Sequence, residues 1–275
     1  MEKFVTLNNG VKMPRLGFGV YQIDDLAQTQ QVVEDGLEIG YRLVDTAQIY
    51  GNEQAVGDAI KRSNVPREDI FVTSKIWVND YGYDNTLKAF DDSMKKLQLG
   101  YIDLYLIHKP YNDYYGTWRA LERLYKEGRI RAIGVSSFWN ERLADLITFN
   151  DVKSAVNQIE TNVWNQEWKS QKYMEKEGVQ PEAWAPFAEG ANHIFTNPVL
   201  EEIAAKHHKT TAQVMLRWFL QRNYVVIPKS VHKKRLAENF DVFDFELDMK
   251  KIKTLDQGHS ILEDEMDPEI VESFR

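Results

Sequence analysis

The 275-residue chain contains no cysteine. Disulfide bonds, thiolate metal sites and a cysteine nucleophile are therefore excluded. The chain also has no apolar run close to the roughly 20 residues that a transmembrane helix needs. Its first ten residues, MEKFVTLNNG, lack the apolar core of a secretory signal peptide. We therefore expect a cytoplasmic protein without a membrane partner.

An excess of positive charge is absent too. Lys and Arg together number 34 and Asp and Glu 42, which gives a net charge of −8. We expect no nucleic-acid partner, because general binding to polyanions needs clustered lysine and arginine. A phosphate-bearing ligand would need a local basic cluster that acts against the field of the whole protein.

Apolar runs of strand length alternate with amphipathic helix patterns along the chain. A β-hairpin is predicted first, where Phe4–Leu7 and Val11–Met13 flank Asn-Asn-Gly, whose Asn-Gly tolerates positive φ. Eight strands are then predicted at Leu16–Val20, Tyr41–Asp45, Ile70–Lys75, Ile102–His108, Arg131–Ser136, Ala155–Glu160, Gln180–Ala185 and Tyr224–Pro228. Helix patterns between them include Gln30–Ile39, Glu53–Arg62, Thr86–Leu97, Trp118–Lys126, Glu141–Phe149, Lys169–Glu177 and Ala212–Gln221.

This alternation predicts parallel strands covered by helices. Eight such units predict a (β/α)8 TIM barrel with an N-terminal β-hairpin, as a single domain over residues 1–275. The alternative is an open doubly wound sheet of the Rossmann type. That fold needs G-x-G-x-x-G at the start of a helix, whereas Gly17–Gly19 is followed by Val-Tyr-Gln and lacks the third glycine. We therefore favour the barrel.

Polar residues occur where several of the predicted strands end, which is where barrels of this type hold their active sites. Asp45, Lys75 and His108 end the second, third and fourth strands, and Tyr50 follows Asp45 closely. Each residue alone has an ordinary structural explanation, as a helix cap, a surface ion pair, a buried histidine or a core aromatic. Their occurrence at successive strand ends favours a shared site.

Together these four residues predict proton transfer to an oxygen atom. A tyrosine has a pKa near 10, and a neighbouring ammonium such as Lys75 would lower it. Asp45 would keep that ammonium charged and fixed. A neutral His108 could hydrogen-bond the same substrate oxygen. The set fits reduction of a carbonyl group if another molecule supplies hydride.

A second cluster, VIPKSVHKKRLAENF at residues 226–240, follows the last strand and leads into a helix. Three of its side chains are predicted to hold a phosphate with help from the helix start: Lys229, Ser230 and Arg235. The ordinary alternative is a solvated basic helix face. At other strand ends, Trp184 could stack on a nicotinamide ring, and Asn157 and Gln158 could contact its carboxamide.

With these features the chain resembles the aldo-keto reductase family, and within it the prokaryotic branch that includes 2,5-diketo-gluconate reductases. GYRLVDTAQIYGNEQAVG at residues 40–57 resembles the family's first signature. IPKSVHKKRLAENFDVF at residues 227–243 resembles its C-terminal cofactor signature. IFVTSKIW, YIDLYLIHKP, VNQIE and EAWAPF fall between them in the expected order.

The resemblance implies a monomeric enzyme without a metal that uses NADPH to reduce small aldehydes and ketones, including dicarbonyls and keto sugars. It implies a catalytic tetrad with Tyr50 as general acid: Asp45, Tyr50, Lys75 and His108. The cofactor-binding residues that it implies are Ser136, Ser137, Gln158, Trp184, Lys229, Ser230, Arg235, Glu238 and Asn239. Those facing the substrate are Tyr21, Trp77 and His108.

Two features of this chain bear on that expectation. The family usually has asparagine where this chain has Ser137, and serine lacks the paired donor and acceptor of an amide. Substrate choice is expected to depend on Trp77–Tyr83, Tyr111–Tyr115 and the tail Gln257–Arg275, which in the family closes over the barrel mouth. Two other functions stay open: a non-catalytic nucleotide-binding accessory protein, and an aldolase that forms a Schiff base at Lys75.

Overall fold

The computed structural model describes residues 2–262 and 267–274. It begins with an antiparallel hairpin of β1 (Phe4–Thr6) and β2 (Lys12–Pro14). In the connecting loop only Gly10 has a positive φ, of 85°, so the reversal depends on this glycine and Asn9 keeps an ordinary conformation. The predicted hairpin is confirmed.

Eight parallel strands follow and form a nearly closed barrel. They are β3 (Phe18–Gly19), β4 (Leu43–Asp45), β5 (Phe71–Ile76), β6 (Ile102–Ile107), β7 (Ile130–Ser136), β8 (Val156–Glu160), β9 (Gln180–Trp184) and β10 (Val225–Val226). Neighbours in sequence are neighbours in the sheet from β3 to β10. The two edge strands meet through a parallel bridge between Leu16 and Val226, and Gly19 N donates to Pro228 O at 3.1 Å. The predicted TIM barrel is confirmed.

Helices cover the outside of this barrel. They are α1 (Leu26–Ile39), α2 (Glu53–Arg62), α3 (Tyr83–Leu97), α4 (Tyr114–Lys126), α5 (Asn140–Thr148), α6 (Trp168–Glu177), α7 (Pro198–His207), α8 (Thr211–Gln221), α9 (Lys233–Phe240), α10 (Lys250–Lys253) and α11 (Pro268–Ser273). Capping side chains explain where several of these helices begin. Asp25 accepts from two backbone N–H groups at the start of α1, and Thr210 and Gln213 form a capping box on α8.

The barrel interior is apolar at one end and polar at the other. Leu43 and Phe71 belong to a buried apolar cluster that also includes Leu7 and Met13 of the hairpin segment. Since side chains alternate between the two faces of a strand, the inward residue two positions after Leu43 is Asp45. The hairpin thus closes the apolar end, and the polar end at the carboxyl ends of the strands is left for a site.

Candidate active site

Strand alternation delivers four polar side chains to the interior at the polar end. Asp45, Lys75, Gln158 and Glu182 lie on β4, β5, β8 and β9, and none is more than 2% exposed. Asp45, Lys75 and Gln158 each stand two or four residues after an inward apolar residue of the same strand, namely Leu43, Phe71 and Val156. Buried polar groups of this kind need partners, because an unpaired charge in the interior is costly.

Lys75 is the centre of this group. Its Nζ donates to Asp45 Oδ1 at 2.6 Å, to the carbonyl oxygen of Thr46 at 3.0 Å and to the Tyr50 hydroxyl at 3.3 Å. These three acceptors use the three hydrogens of an ammonium group. The predicted contact between Asp45, Lys75 and Tyr50 is therefore present in the structure.

Tyr50 reaches Lys75 because of the short segment that follows β4. Residues Gln48–Tyr50 form one turn of 3-10 helix. Asn52 holds this segment against the barrel, since its Nδ2 donates to Val20 O at 2.9 Å and its Oδ1 accepts from Thr46 Oγ1 at 2.7 Å. Both hydrogen bonds are buried, and they fix where the tyrosine leaves the backbone.

The electrostatics of Lys75 and Tyr50 differ in part from the sequence expectation. Burial lowers the pKa of Lys75, but Asp45 and Tyr50 outweigh burial and raise this pKa above its ordinary value. Burial raises the pKa of Tyr50 to about 12, and the lowering effect of Lys75 offsets only part of this rise. Lys75 thus lowers the pKa of Tyr50 as expected, but desolvation of the phenol has the larger effect and the net shift is upward.

Aromatic rings pack against Tyr50 and His108. The Tyr50 ring lies 5.8 Å from the His108 ring and 4.9 Å from the Tyr21 ring, and Trp77 packs edge-on against His108 at 5.1 Å. Burial, then the charges of Lys75 and Lys109, hold the pKa of His108 well below its ordinary value. His108 is therefore neutral, as expected. The three expected substrate-facing residues thus lie together at the barrel mouth.

The residues expected at the nicotinamide end lie on three adjacent strands. Ser136 ends β7, and Ser137 follows in the left-handed region with a φ of 59° and a buried Oγ that has no partner among the described residues. Gln158 lies inside the barrel on β8, and Trp184 ends β9. Asn157 does not join them. Strand alternation turns it away from the barrel interior, and its Nδ2 donates to Phe138 O.

The residues expected at the phosphate end lie where β10 leads into α9. Lys229 and Arg235 are exposed, and within residues 2–262 and 267–274 neither forms an ion pair. Ser230 is buried, and its Oγ accepts from His232 N. Glu238 Oε1 accepts from the hydroxyl of Thr210, and Asn239 is buried on the same helix: these two are the expected adenine contacts.

The end of the chain lies over the barrel mouth. Phe274, which follows α11, packs against Trp77 at 5.5 Å and against Tyr111 at 6.0 Å. Lys109 Nζ lies 5.8 Å from the Phe274 ring and 5.9 Å from the Trp184 ring. The expected closure by the tail is thus seen at Phe274, while positions 263–266 and 275 of the tail lie outside the described residues.

Comparison with known proteins decides the family. The chain matches the aldo/keto reductase family over residues 15–259. It belongs to this family. It is 47% identical over 261 residues to the glyoxal reductase of Bacillus subtilis (strain 168), with 94% of each chain covered. It is 42% identical over 260 residues to the methylglyoxal reductase DkgA of Escherichia coli (strain K12), with 92% of this chain and 94% of that one covered.

A solved structure supports the same assignment. This aldo/keto reductase superposes with a TM-score of 0.89 on the Bombyx mori aldo-keto reductase in complex with NADP, at 32% identity and 95% coverage of both chains. In the part of this chain that the structure describes, no group of three or more His, Asp or Glu could hold a metal ion. No described helix combines the length and apolarity that a membrane crossing requires.

Two residues of the site were missed in the sequence. In the sequence, Glu182 looks like an ordinary polar position of the predicted strand that contains PEAW. A single sequence does not show that it faces Gln158 and Asp45 across the barrel. The tail was expected over the mouth from the family resemblance, but its acidic sequence has little periodicity and did not single out Phe274. For Glu182, the inward alternation with Trp184 was a usable signal, because both residues share one face of β9.

Proposed function

We propose that this chain is an NADPH-dependent reductase of small aldehydes and ketones, with Tyr50 as the general acid. One contact carries the proposal: the Tyr50 hydroxyl accepts a 3.3 Å hydrogen bond from the Lys75 ammonium, while its ring packs beside His108. A phenol between a fixed cation and a neutral imidazole can deliver a proton to a carbonyl oxygen. Membership of the aldo/keto reductase family supports this chemistry.

The residues at the nicotinamide end fit such a cofactor. Ser137 Oγ is buried and has no hydrogen-bond partner in the described part of the chain, so a carboxamide would satisfy it. In our proposal Ser136, Ser137 and Gln158 hold the carboxamide, and Trp184 stacks on the ring. When bound there, the cofactor supplies hydride to the carbonyl carbon.

The residues at the other end fit a phosphate group. Lys229 and Arg235 are exposed cations on the same segment as Ser230, and charge-assisted hydrogen bonds to phosphate are among the strongest that proteins make. In our proposal these three hold the 2′-phosphate of NADPH, and Glu238 and Asn239 contact the adenine. The NADP complex of the Bombyx mori relative supports this preference.

The mechanism follows from the protonation states of the tetrad. The substrate oxygen lies between the Tyr50 hydroxyl and the neutral His108 ring, which orients it by a hydrogen bond. As that oxygen gains negative charge, Tyr50 transfers its proton. Lys75 stabilises the phenolate that remains, and Asp45 keeps Lys75 charged and in place.

The side chains at the barrel mouth and the names of the relatives both indicate the class of substrate. Tyr21, Trp77 and Phe274 line the space beside Tyr50 and His108, which favours a small carbonyl compound. Relatives with the names glyoxal reductase and methylglyoxal reductase support dicarbonyls as substrates. We propose dicarbonyls first and keto sugars second. The expectation of a cytoplasmic monomer with a single domain stays a prediction.

The test is consumption of NADPH with glyoxal, methylglyoxal, simple aldehydes and keto sugars. Tyr50→Phe should lower kcat by at least about 100-fold, because it removes the proton donor, while NADPH binding is retained. Tyr105→Phe is the matched control: this tyrosine is also fully buried, but it lies on the helix side of β6 near Ser93 and should keep its activity.

Three outcomes would contradict the proposal. A wild type that binds NADPH but reduces no carbonyl compound would favour the accessory protein. A borohydride-trapped adduct at Lys75 would favour the aldolase, although the raised pKa of Lys75 makes it a poor nucleophile. Equal or better catalytic efficiency with NADH would contradict the role given to Lys229 and Arg235.

A further inference from the structure

Glu182 is a buried carboxyl group that the mechanism above does not use. It lies inside the barrel on β9, fully inaccessible, between Gln158 on β8 and Val225 on β10. Its Oε2 accepts one hydrogen bond, from Gln158 Nε2 at 3.0 Å. Its Oε1 has no hydrogen-bond partner, and no cation bonds the carboxyl group within the described residues.

Gln158 joins Glu182 to the proton-transfer residues. The same Nε2 atom donates to Asp45 Oδ2 at 2.9 Å, so the two hydrogens of one amide group serve two carboxyl groups. This arrangement also decides which way the amide points, because an amide oxygen beside the Asp45 carboxylate would be repelled. Gln158 Oε1 therefore points away from Asp45 and accepts no hydrogen bond from the described residues.

The surroundings of Glu182 oppose its ionisation. Burial, and next the Asp45 carboxylate, raise the pKa of Glu182 to about 8, with a smaller lowering effect from the Gln158 hydrogen bond and Lys75. Asp45 on β4 and Lys75 on β5 are the charged groups that act on it, while its sheet neighbours Gln158 and Val225 are uncharged. Glu182 is therefore neutral at neutral pH.

Building on the proposed function, we propose that Glu182 is a positioning residue that acts on the active site through Gln158. It holds the Gln158 amide so that Oε1 is left to accept from the carboxamide of the cofactor. When Glu182 ionises in the alkaline range, it adds a second negative charge beside Asp45. That charge opposes formation of the Tyr50 phenolate, which is the base that alcohol oxidation needs.

The unusual protonation also predicts a stability effect that requires no cofactor. An unfolded glutamate titrates near 4.3, whereas folded Glu182 keeps its proton up to about 8. The wild type therefore loses stability as the pH rises between these values, and loses no more above them. Glu182→Gln has no such proton, so its Tm relative to the wild type should rise across this interval.

Two variants and one control test the proposal on the full-length chain. Glu182→Gln keeps the acceptor for Gln158 but removes the charge, and Glu182→Leu removes both. Glu122→Gln is the control, since Glu122 is a buried carboxylate on α4 that accepts from Val152 N, outside the barrel interior. The measurements are Tm from pH 5 to 9 without cofactor, the Kd of NADPH, and the pH profile of alcohol oxidation.

The two Glu182 variants should differ from the wild type in cofactor affinity, in the pH profile of oxidation and in Tm. Glu182→Leu should weaken NADPH binding about 10-fold, which corresponds to the loss of one well-placed hydrogen bond, and Glu182→Gln should restore it to within about 3-fold of the wild type. In Glu182→Gln the kinetic pKa of alcohol oxidation should fall by roughly 0.5 to 1 pH unit. The Tm difference from the wild type should grow with pH for Glu182→Gln, and Glu122→Gln should keep the wild-type affinity for NADPH.

Wild-type NADPH affinity in Glu182→Leu would overturn the positioning role. A Tm difference that does not change with pH, or an unchanged oxidation profile in Glu182→Gln, would overturn the charge effect. The Tm and binding measurements need no turnover, so they test the role of Glu182 even if the wild type reduces no carbonyl compound. That last result would contradict the proposed function alone.

Discussion

Asp45→Asn tests the buried ion pair on which the proposed mechanism depends. Lys75 is fully buried, and among residues 2–262 and 267–274 Asp45 is its one carboxylate partner, at 2.6 Å. Removing one partner of such a pair leaves an uncompensated buried charge, which costs about 3–5 kcal/mol. The new amide adds a conflict, because its one oxygen can accept from only one of the two donors, Lys75 Nζ and Gln158 Nε2, and its NH2 group must then face the other donor.

The asparagine oxygen can still accept from Lys75, so we expect a loss near the lower limit, about 3 kcal/mol. For a chain of this size that loss corresponds to a fall in Tm of roughly 6–12 °C. Activity should fall as well. Without Asp45, burial lowers the pKa of Lys75, and Tyr50 loses the cation that stabilises its phenolate.

The assays are thermal unfolding at neutral pH and the pH dependence of kcat for carbonyl reduction. In the wild type the raised pKa of Lys75 keeps it charged, so its ionisation should not affect kcat below about pH 10. In Asp45→Asn, kcat should be lower by about 100-fold and should decline further as the pH rises through the lowered pKa of Lys75. Activity that depends on a protonated Lys75 is present below that pKa and lost above it.

Asp103→Asn is the matched control. Asp103 is equally buried and accepts from Arg67 and Arg131, each at 2.7 Å, at the amino end of β6. This variant should lose stability but keep the kcat of the wild type. An Asp45→Asn variant with wild-type Tm, or with wild-type kcat and an unchanged pH profile, would refute the reasoning about the pair.

Two further variants test the cofactor end and the barrel mouth. Ser137→Asn should tighten NADPH binding by about 3- to 10-fold, measured by fluorescence titration, because asparagine tolerates the left-handed backbone at this position and its amide can pair with the carboxamide. No gain in affinity would contradict that contact. Phe274→Ala should raise KM for methylglyoxal by roughly 3- to 10-fold with little change in kcat, since Phe274 packs on Trp77 but does not touch Tyr50. A fall in kcat as large as the rise in KM would contradict the view that Phe274 affects substrate binding and not the chemical step.

The sequence predicted the barrel and the meeting of Asp45, Lys75 and His108 for a simple reason. Parallel strands bring their carboxyl ends to one rim, and side chains two residues apart share a face. The strand limits were less accurate at the closure of the barrel, where β3 and β10 contain two residues each. Apolar runs there are longer than the hydrogen-bonded ladder, because the two edge strands meet through one bridge.

The helix Pro198–His207 was missed despite a local signal, since Asn197 caps it and proline occupies its first turn. Other features could not be predicted because they depend on distance in space. Glu182 looked like an ordinary strand residue until the barrel placed it beside Gln158. The pKa of Tyr50 depends on two opposing effects, burial and the charge of Lys75. A sequence motif shows neither how deeply the phenol is buried nor how far it lies from the ammonium.

That competition bears on the direction of the reaction. With a pKa of about 12, the Tyr50 phenol stays protonated throughout the neutral range, as the proton donor of the proposed reduction must. Transfer to an alkoxide is favourable even from so weak an acid, because an alkoxide is a stronger base than a phenolate. Oxidation needs the phenolate, which at pH 7 is about one part in 10⁵ for such a pKa. In the proposed mechanism, burial that Lys75 offsets only in part therefore favours Tyr50 as an acid for reduction over Tyr50 as a base for the reverse reaction.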